Sequence, residues 1–528
     1  MTPSTTLPND SATLPKDLAA APARRYGLIA TAIILGASLT VFAVGVSGSV
    51  TKADEVHHFG FAQNWARQGL LHRPLFNPIY DSGDPPGYYY NGMPLWAAGL
   101  AALWQLTGIH TWIAQLYQAA WYALLLTTTY LLARRLLEPV GALVALVLAA
   151  SLPMFNAFSV LLYMDVPTTA MGMLSAVLVR DRRYVLASVA MGLAYLGKQN
   201  ALFLAPPLAL WIAWNETFGG QGPWPRRLAR LATAGALFAV PMVLVVLPDV
   251  LWRRTHLPQS LSPGLDSLKQ RASILISSHR LETSLINPVD LAMYFGGLAG
   301  LGMLLYVLRR AWRSLDAWVW LCLGLYLAAM TLVFSINTDI RYFMPAAPLV
   351  ALLAARGLEP LWKRRWGLAA IALIAAIQFV AVLGYTTWRR QLSPSQKAVF
   401  AYLRDQTPER SLVLYPGEVL VTEARRPPVW SSLRHAGTGG YGLTAFLRHQ
   451  TPEEIVETLR ANHIRYAVVD DTHIYDDTVQ PEQNGYPQSF VEKLKTAPGL
   501  QLVEGQWPGM AVYRVTDPPP QTTDGADS

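Results

Sequence analysis

Long apolar runs alternate with short basic clusters along most of the chain. The runs at 28–50 and 367–385 match the roughly 20 apolar residues that cross a bilayer core. Six clusters punctuate the pattern: Arg24-Arg25, Arg134-Arg135, Arg180 with Arg182-Arg183, Arg226-Arg227 with Arg230, Arg309-Arg310 with Arg313, and Lys363-Arg364-Arg365. If all six face the cytoplasm, two spans must separate each from the next. Most intervals supply them, through runs at 111–132, 140–162, 166–179, 184–196, 201–214, 231–252, 289–308, 318–336, 343–355 and 366–385. Residues 88–106 are also apolar, but counting them as a span would move Arg134-Arg135 outside. Asn91, Gly92 and Pro94 weaken the first turns of a helix there. That stretch therefore reads as an interfacial or re-entrant helix. The pattern predicts a polytopic α-helical membrane protein of about eleven transmembrane helices, with the amino terminus inside and the carboxyl terminus outside.

Beyond residue 385 the periodicity changes. Thr451 followed by Glu454 is a capping-box start for a helix reaching Asn462, and Ile464 to Val469 reads as a strand. Further strands are expected at 411–415, 500–503 and 510–515, with helices at 395–405 and 489–496. Residues 386–515 thus read as a small extracytoplasmic α/β domain behind a transmembrane domain over 24–385. The ends, 1–23 and 516–528, are rich in Pro, Thr and Asp and read as disordered tails.

Composition agrees. Of 528 residues, 52% are hydrophobic and 14% charged, against about a quarter charged in soluble domains. Seventeen Trp and twenty-three Tyr suit two interfacial aromatic belts. The net charge of +8 does not signal nucleic-acid binding. Residues 1–385 hold 28 Lys+Arg against 17 Asp+Glu (+11), and the remainder 14 against 17 (−3). The basic excess therefore lies in short loops between spans, where topology demands it. Cys322 is the sole cysteine, so no internal disulfide forms. Arg24-Arg25 precede a run too long for a cleaved leader, which favours an uncleaved first span on the cell membrane.

Chemistry concentrates in the first outer loop, 51–110. Asp54 and Glu55 follow the first span directly, then His57 and His58, then a stretch that sets Phe59, Ala62, Trp65 and Ala66 on one helical face. Acids beside a span are costly unless they cap, coordinate or catalyse. Asp54 and Glu55 could simply cap the next helix and complement its positive end. His57 and His58 could join Asp54, Glu55 and Asp165 around a divalent metal, or be plain interfacial histidines.

An acidic pair after the first span, an amphipathic helix and Pro85-Pro-Gly-Tyr88-Tyr89-Tyr90 resemble the GT-C superfamily of lipid-phosphosugar-dependent glycosyltransferases. Within it, the pattern is similar to bacterial relatives of protein O-mannosyltransferases and lipid A aminoarabinose transferases (glycosyltransferase family 39-like). Asp54-Glu-Val-His-His58 with the Pro-Pro-Gly-Tyr run is also similar to dolichol-pathway glucosyltransferases. Tyr163-Met-Asp165-Val-Pro167-Thr resembles the second acidic motif, Gly192-Leu-Ala-Tyr-Leu-Gly-Lys198 the "GLA…TK" segment, and Arg341-Tyr-Phe-Met-Pro345 the Arg-Tyr-x-x-Pro motif. The resemblance covers about residues 25–390. Two features depart from it. Gly83-Asp84 stands where aminoarabinose transferases carry Glu-Lys, and the His-Pro-Pro form of eukaryotic mannosyltransferases is absent.

The resemblance implies transfer of a sugar from a polyprenyl-phosphate donor to a lipid, glycan or protein acceptor outside the cytoplasm. Its catalytic candidates are Asp54, Glu55 and Asp165. An acceptor hydroxyl must lose a proton as it attacks, and Asp54 is the candidate base for a direct, inverting displacement. Arg341 and Lys198 are candidates to hold the leaving phosphate. Each has a plainer alternative: Arg341 paired with Asp339, Lys198 reaching the headgroups, Asp165 as an N-cap. Tyr88, Tyr89 and Tyr90 could stack on the sugar or anchor at the interface. The polar outer loop 253–288 could close on substrate. No organic cofactor is expected. An alternative class is a membrane transporter or lipid flippase, which would place ionisable groups near the bilayer midplane, often within repeated halves. Another is a scaffold whose soluble domain recruits cell-wall enzymes.

Overall fold

The structure is a computed structural model that describes residues 16–50, 53–71, 73, 94–218, 222–256, 297–308, 319, 322–326, 340–408, 411–416, 419–424, 450–461, 463–475 and 486–517. Its first part is a helical bundle. Helix α1 (Lys16–Ser47) begins inside the stretch expected to be a disordered tail. After it come α2 (Ala53–Gln68), α3 (Pro94–Thr107), α4 (Thr111–Leu136), α5 (Pro139–Ser151), α6 (Pro153–Val160), α7 (Asp165–Arg180) and α8 (Tyr184–Gly197). A 3₁₀ turn (Gln199–Leu204) leads into α9 (Ala205–Thr217) and the 33-residue α10 (Trp224–His256). The remaining bundle helices are α11 (Gly297–Leu308), α12 (Ala347–Gly357) and α13 (Arg365–Arg389).

The expected span at 140–162 is not one helix. It breaks into α5 and α6, bent by 53°. Pro153 lacks an amide hydrogen and its ring clashes with the carbonyl four residues back, which favours a kink or break at that point. Among the described residues, three helices are singly long and apolar enough to cross a membrane: Arg25–Ser47, Trp224–His256 and Arg365–Arg389. The bent pair makes a fourth. Of the other helices, α4 has the length but not the apolar composition, and the rest have fewer than 18 residues. Helix α4 buries Gln115, Gln118, Thr128 and Thr129 against its neighbours, so it need not be apolar all round. Helix α3 has 14 residues, about 21 Å, which is shorter than a bilayer core. It packs with α2 through Phe59, Trp65, Trp96 and Trp104.

Contacts at one end of the bundle gather basic clusters among the described residues. Arg135 forms a two-pronged bond to Asp181 (2.7 and 2.5 Å). Tyr184 donates to Glu216 at 2.6 Å, and the side chain of Arg227 reaches the Thr217 carbonyl at 3.2 Å. Arg25, Val140 and Leu368 border one cavity. One helix length away, the opposite ends of α1, α8 and α13 carry Ser47, Gly197 and Arg389.

Residues 394–515 form an α/β unit whose sheet order is β1 (Leu412–Leu414), β2 (Ile464–Asp470), β6 (Met510–Val515), β5 (Leu500–Leu502). Strands β1 and β2 run parallel, and the other two pairs antiparallel. A short parallel pair, β3 (Ile474–Tyr475) and β4 (Tyr486–Pro487), lies beside it. The helices are α14 (Pro394–Gln406), α15 (Pro452–Ala461) and α16 (Gln488–Thr496). The Thr451/Glu454 capping box forms as read from the sequence, with bonds of 2.8 and 3.3 Å. A second box, Ser393 with Gln396, starts α14.

Candidate functional site

Three of the sequence motifs meet. Asp165 opens α7, and Lys198 follows the last residue of α8. Their side chains pair at 2.7 Å, with Asp165 only 3% exposed. Asp165 is thus not an N-cap (Met164 holds that position), and Lys198 turns inward instead of reaching outward. The approach of the two helices needs Gly197, because a side chain there would collide with Thr168 one turn along α7. The third motif enters through a 3₁₀ turn, Ile340–Ala346. The Tyr342 ring lies 4.2 Å from Lys198 Nζ, a cation–π contact. The Arg341 guanidinium sits 5.2 Å from the Tyr163 ring and 5.6 Å from that of Tyr342.

Polar side chains that no motif singled out hold this arrangement. Gln118 of α4, fully buried, donates to the carbonyls of Phe158, Leu161 and Tyr163 at 3.2, 3.3 and 3.0 Å. It also accepts from Trp96 Nε1 at 2.8 Å. It thereby satisfies the backbone left open where α6 ends before Asp165. Asn200 donates to Tyr326 Oη and to the Tyr342 carbonyl, both at 3.3 Å, and Tyr326 donates to the same carbonyl at 2.6 Å. Asn200 Oδ1 is buried and has no hydrogen-bond partner among the described residues.

The first acidic motif adjoins this cluster. The His58 ring meets that of Tyr163 edge-on at 6.4 Å and lies 6.2 Å from Trp96. Glu55 is fully buried and pairs with Arg390 at 3.0 Å, while accepting from the Leu162 amide at 3.3 Å. Arg390 also donates to the carbonyls of Ser49 (2.9 Å) and Gly45 (3.2 Å). With its amide turned, Gln115 accepts from Arg390 and donates to the Val160 carbonyl, both at 3.2 Å. Glu55 therefore has a structural partner, which nothing in its local sequence announced. Asp54 lies in the first turn of α2, and its side chain falls outside the described residues, as do Tyr88, Tyr89, Tyr90, Asp339 and the loop 257–288.

Among the described residues, no three His, Cys, Asp or Glu side chains converge in a way that could hold a metal. Glu55 and Asp165 are each engaged by a cation, and His58 packs among rings. The described donors of the tentative set Asp54, Glu55, Asp165, His57 and His58 do not fit a metal together.

A second charged cluster was also missed. Asp249 and Arg253 share one face of α10 and pair at 2.8 Å; Arg73 adds a bond to Asp249 at 2.6 Å and stacks 3.8 Å over Trp252. Both charges are electrostatic neighbours of Tyr195, one turn before Lys198. An acid four residues before an arginine at the end of an apolar span was the available signal.

The structure is thus a helical bundle with buried ion pairs near one end of its long helices, followed by a small α/β unit. Residues 91–252 match the family described as dolichyl-phosphate-mannose-protein mannosyltransferase. The chain is similar in structure to ArnT from Cupriavidus metallidurans bound to undecaprenyl phosphate (TM-score 0.62, 15% identity, covering 93% of this chain and 99% of that one). It is also similar to the apo oligosaccharyltransferase of Archaeoglobus fulgidus (TM-score 0.56, 14% identity, 84% of this chain and 69% of that one). No curated protein sequence matches it. The chain thus shares the fold of ArnT and the archaeal oligosaccharyltransferase, and part of it matches the mannosyltransferase family model.

Proposed function

We propose that this chain is an inverting glycosyltransferase of the cell membrane. It moves a sugar from a polyprenyl-phosphate donor to a lipid, glycan or protein acceptor on the extracytoplasmic face. The observation that carries this reading is the meeting of Asp165, Lys198, Tyr342 and Arg341, from three distant motifs, beside the first turns of α2. A structurally similar protein has been crystallised with undecaprenyl phosphate, which fits a donor of that chemistry. Described basic clusters lie at the other end of the bundle, which fits a site facing away from the cytoplasm.

In this reading, Asp54 accepts the proton of the attacking hydroxyl, a contribution of about 10²–10⁴-fold. Lys198 and Arg341 take up the negative charge that develops on the leaving phosphate. The Asp165 carboxylate fixes the Lys198 ammonium while leaving it further N–H donors. Asn200 Oδ1 is a buried acceptor for a sugar hydroxyl. Glu55 acts indirectly: held by Arg390 and the Leu162 amide, it sets the start of α2 against the segment leading to Asp165.

The test compares envelope lipids and glycans by mass spectrometry in cells with the chain, without it, and with Asp54→Asn. The expected result is loss of one glycosylated species in both altered strains, with the variant present in membranes at wild-type level. Full modification with Asp54→Asn would remove the proposed base.

A further inference from the structure

The end of the bundle opposite the Asp165–Lys198 pair carries a groove that the proposed reaction does not use. It is a cavity of about 660 Å³ between α1, α5 and α13, with Ile33, Val147, Leu368 and Ala372 among its walls and Arg25 and Tyr26 at its rim. That size lies within the range of small-molecule sites, about 300–1,000 Å³. From Arg25 to Ile33 is about 12 Å along α1, so the groove runs from headgroup depth into the apolar layer. From Arg25 to Ser47 is about 33 Å along the same helix, which sets the groove on the far leaflet from Glu55 and Asp165.

We infer that this groove binds an anionic phospholipid, one acyl chain in the cleft and the phosphate at Arg25. The apolar walls suit an acyl chain, and the rim carries charge of the complementary sign. Arg25 is exposed at the mouth, and exposed Arg364 and Arg365 begin the helix whose next turn supplies Leu368. Of the acids near this rim, Glu138 before Val140 is an electrostatic neighbour of Lys363, and Glu359 pairs with Lys363 (2.6 Å) and Arg356 (2.8 Å). Among the described residues, no acid pairs with Arg25, Arg364 or Arg365. Basic pockets between transmembrane helices on the cytoplasmic side recognise anionic headgroups in this way, and Tyr26 adds an interfacial ring.

The test uses the purified, delipidated full chain, titrated with dioleoyl phosphatidylglycerol or dioleoyl phosphatidylcholine and read by native mass spectrometry. The inference expects one phosphatidylglycerol held about fivefold more tightly than phosphatidylcholine, the ratio that one arginine near a membrane surface supplies. Arg25→Gln, at an exposed position, should bring the two lipids to parity, and Arg226→Gln in another basic cluster should leave the preference intact. Ala372→Trp, also exposed, should displace both lipids by filling the cleft. Equal binding of the two lipids to the wild type would overturn the inference. Unchanged binding with Ala372→Trp, or an equal loss with Arg226→Gln, would do the same.

Discussion

Glu55 and Arg390 stand 335 positions apart and meet at 3.0 Å with neither side chain exposed. Arg390 reaches two carbonyls at the end of α1 as well, and Glu55 accepts from the Leu162 amide. One ion pair therefore ties the first long helix, the start of α2, the approach to Asp165 and the last long helix. A charge buried without its partner costs about 3–5 kcal/mol. Arg390→Met strands the Glu55 carboxylate and is expected to lower stability by that amount. Glu55→Gln should cost less, because Arg390 keeps the Gly45 and Ser49 carbonyls. Thermal unfolding of the two variants in detergent checks the order, and equal losses would contradict it.

The Asp165–Lys198 pair separates structural from chemical roles. Lys198→Met and Asp165→Asn alone each remove a charge from a pair in which Asp165 is only 3% exposed. Both should be destabilised, whereas the double variant buries no net charge and should recover most of the lost stability. Transfer should not recover with it. A donor removed from a developing anion costs about 10²–10³-fold, and the double variant should stay at that level. A stable double variant with wild-type transfer would confine the pair to a scaffolding role.

Gly197 tests the geometry from the backbone side. A methyl group there would press on Thr168. Gly197→Ala should cost about 1–3 kcal/mol through overpacking and shift Lys198 away from Asp165. Thr168→Ala, added to it, removes the nearest obstructing oxygen and should restore part of both stability and transfer. Thr168→Ser keeps that oxygen and should restore neither. Paired unfolding and transfer measurements on the three variants decide the matter.

The α/β unit carries its own pH dependence. Asp470, at the end of β2, is almost wholly buried. It accepts from Thr472, Gln396 and Tyr415 (2.6 to 3.0 Å) and pairs with His473 at 3.2 Å. Burial alone would raise its pKa, but the bonds from His473, Thr472 and Gln396 outweigh it and hold the carboxyl well below the usual carboxylate range. A folded-state value below the unfolded one stabilises the fold above the ordinary carboxylate pKa, about 3.9, and that contribution fades as pH falls through the depressed value. Tyr415 is shifted the other way, upward, by burial and then by Asp470. Its contribution is complete below about 10 and fades as pH rises further. Protection factors for hydrogen exchange along β2 in the full chain should therefore fall below about pH 4. Asp470→Asn should flatten that acid dependence, and an unchanged acid limb would show that other groups set it.

Much of the α/β unit was legible locally. Thr451 and Glu454 announced α15, and alternation in 464–469 and 510–515 marked two strands to within a residue. Capping and strand alternation act over a few neighbours, so a short window suffices. In the bundle, the motifs containing Asp165, Lys198 and Arg341 were visible as residues, but their juxtaposition was not. The run 140–162 is apolar on both sides of Pro153, so composition shows a span there while the 53° bend between α5 and α6 depends on that proline and its packing.

The sequence by itself determined the solvent this chain folds in, because apolar runs spaced by basic clusters leave a bilayer as the medium that satisfies them. It also marked Asp54 and Glu55 as acids set where a membrane makes them costly. Only the tertiary structure decided which charges pair: Glu55 with Arg390, Asp165 with Lys198, Asp249 with Arg73 and Arg253. A buried charge requires a counter-charge, yet nothing in its own helix specifies which one. That choice belongs to the packing of helices far apart in the chain, where Gly197 and the bend at Pro153 set how closely they come.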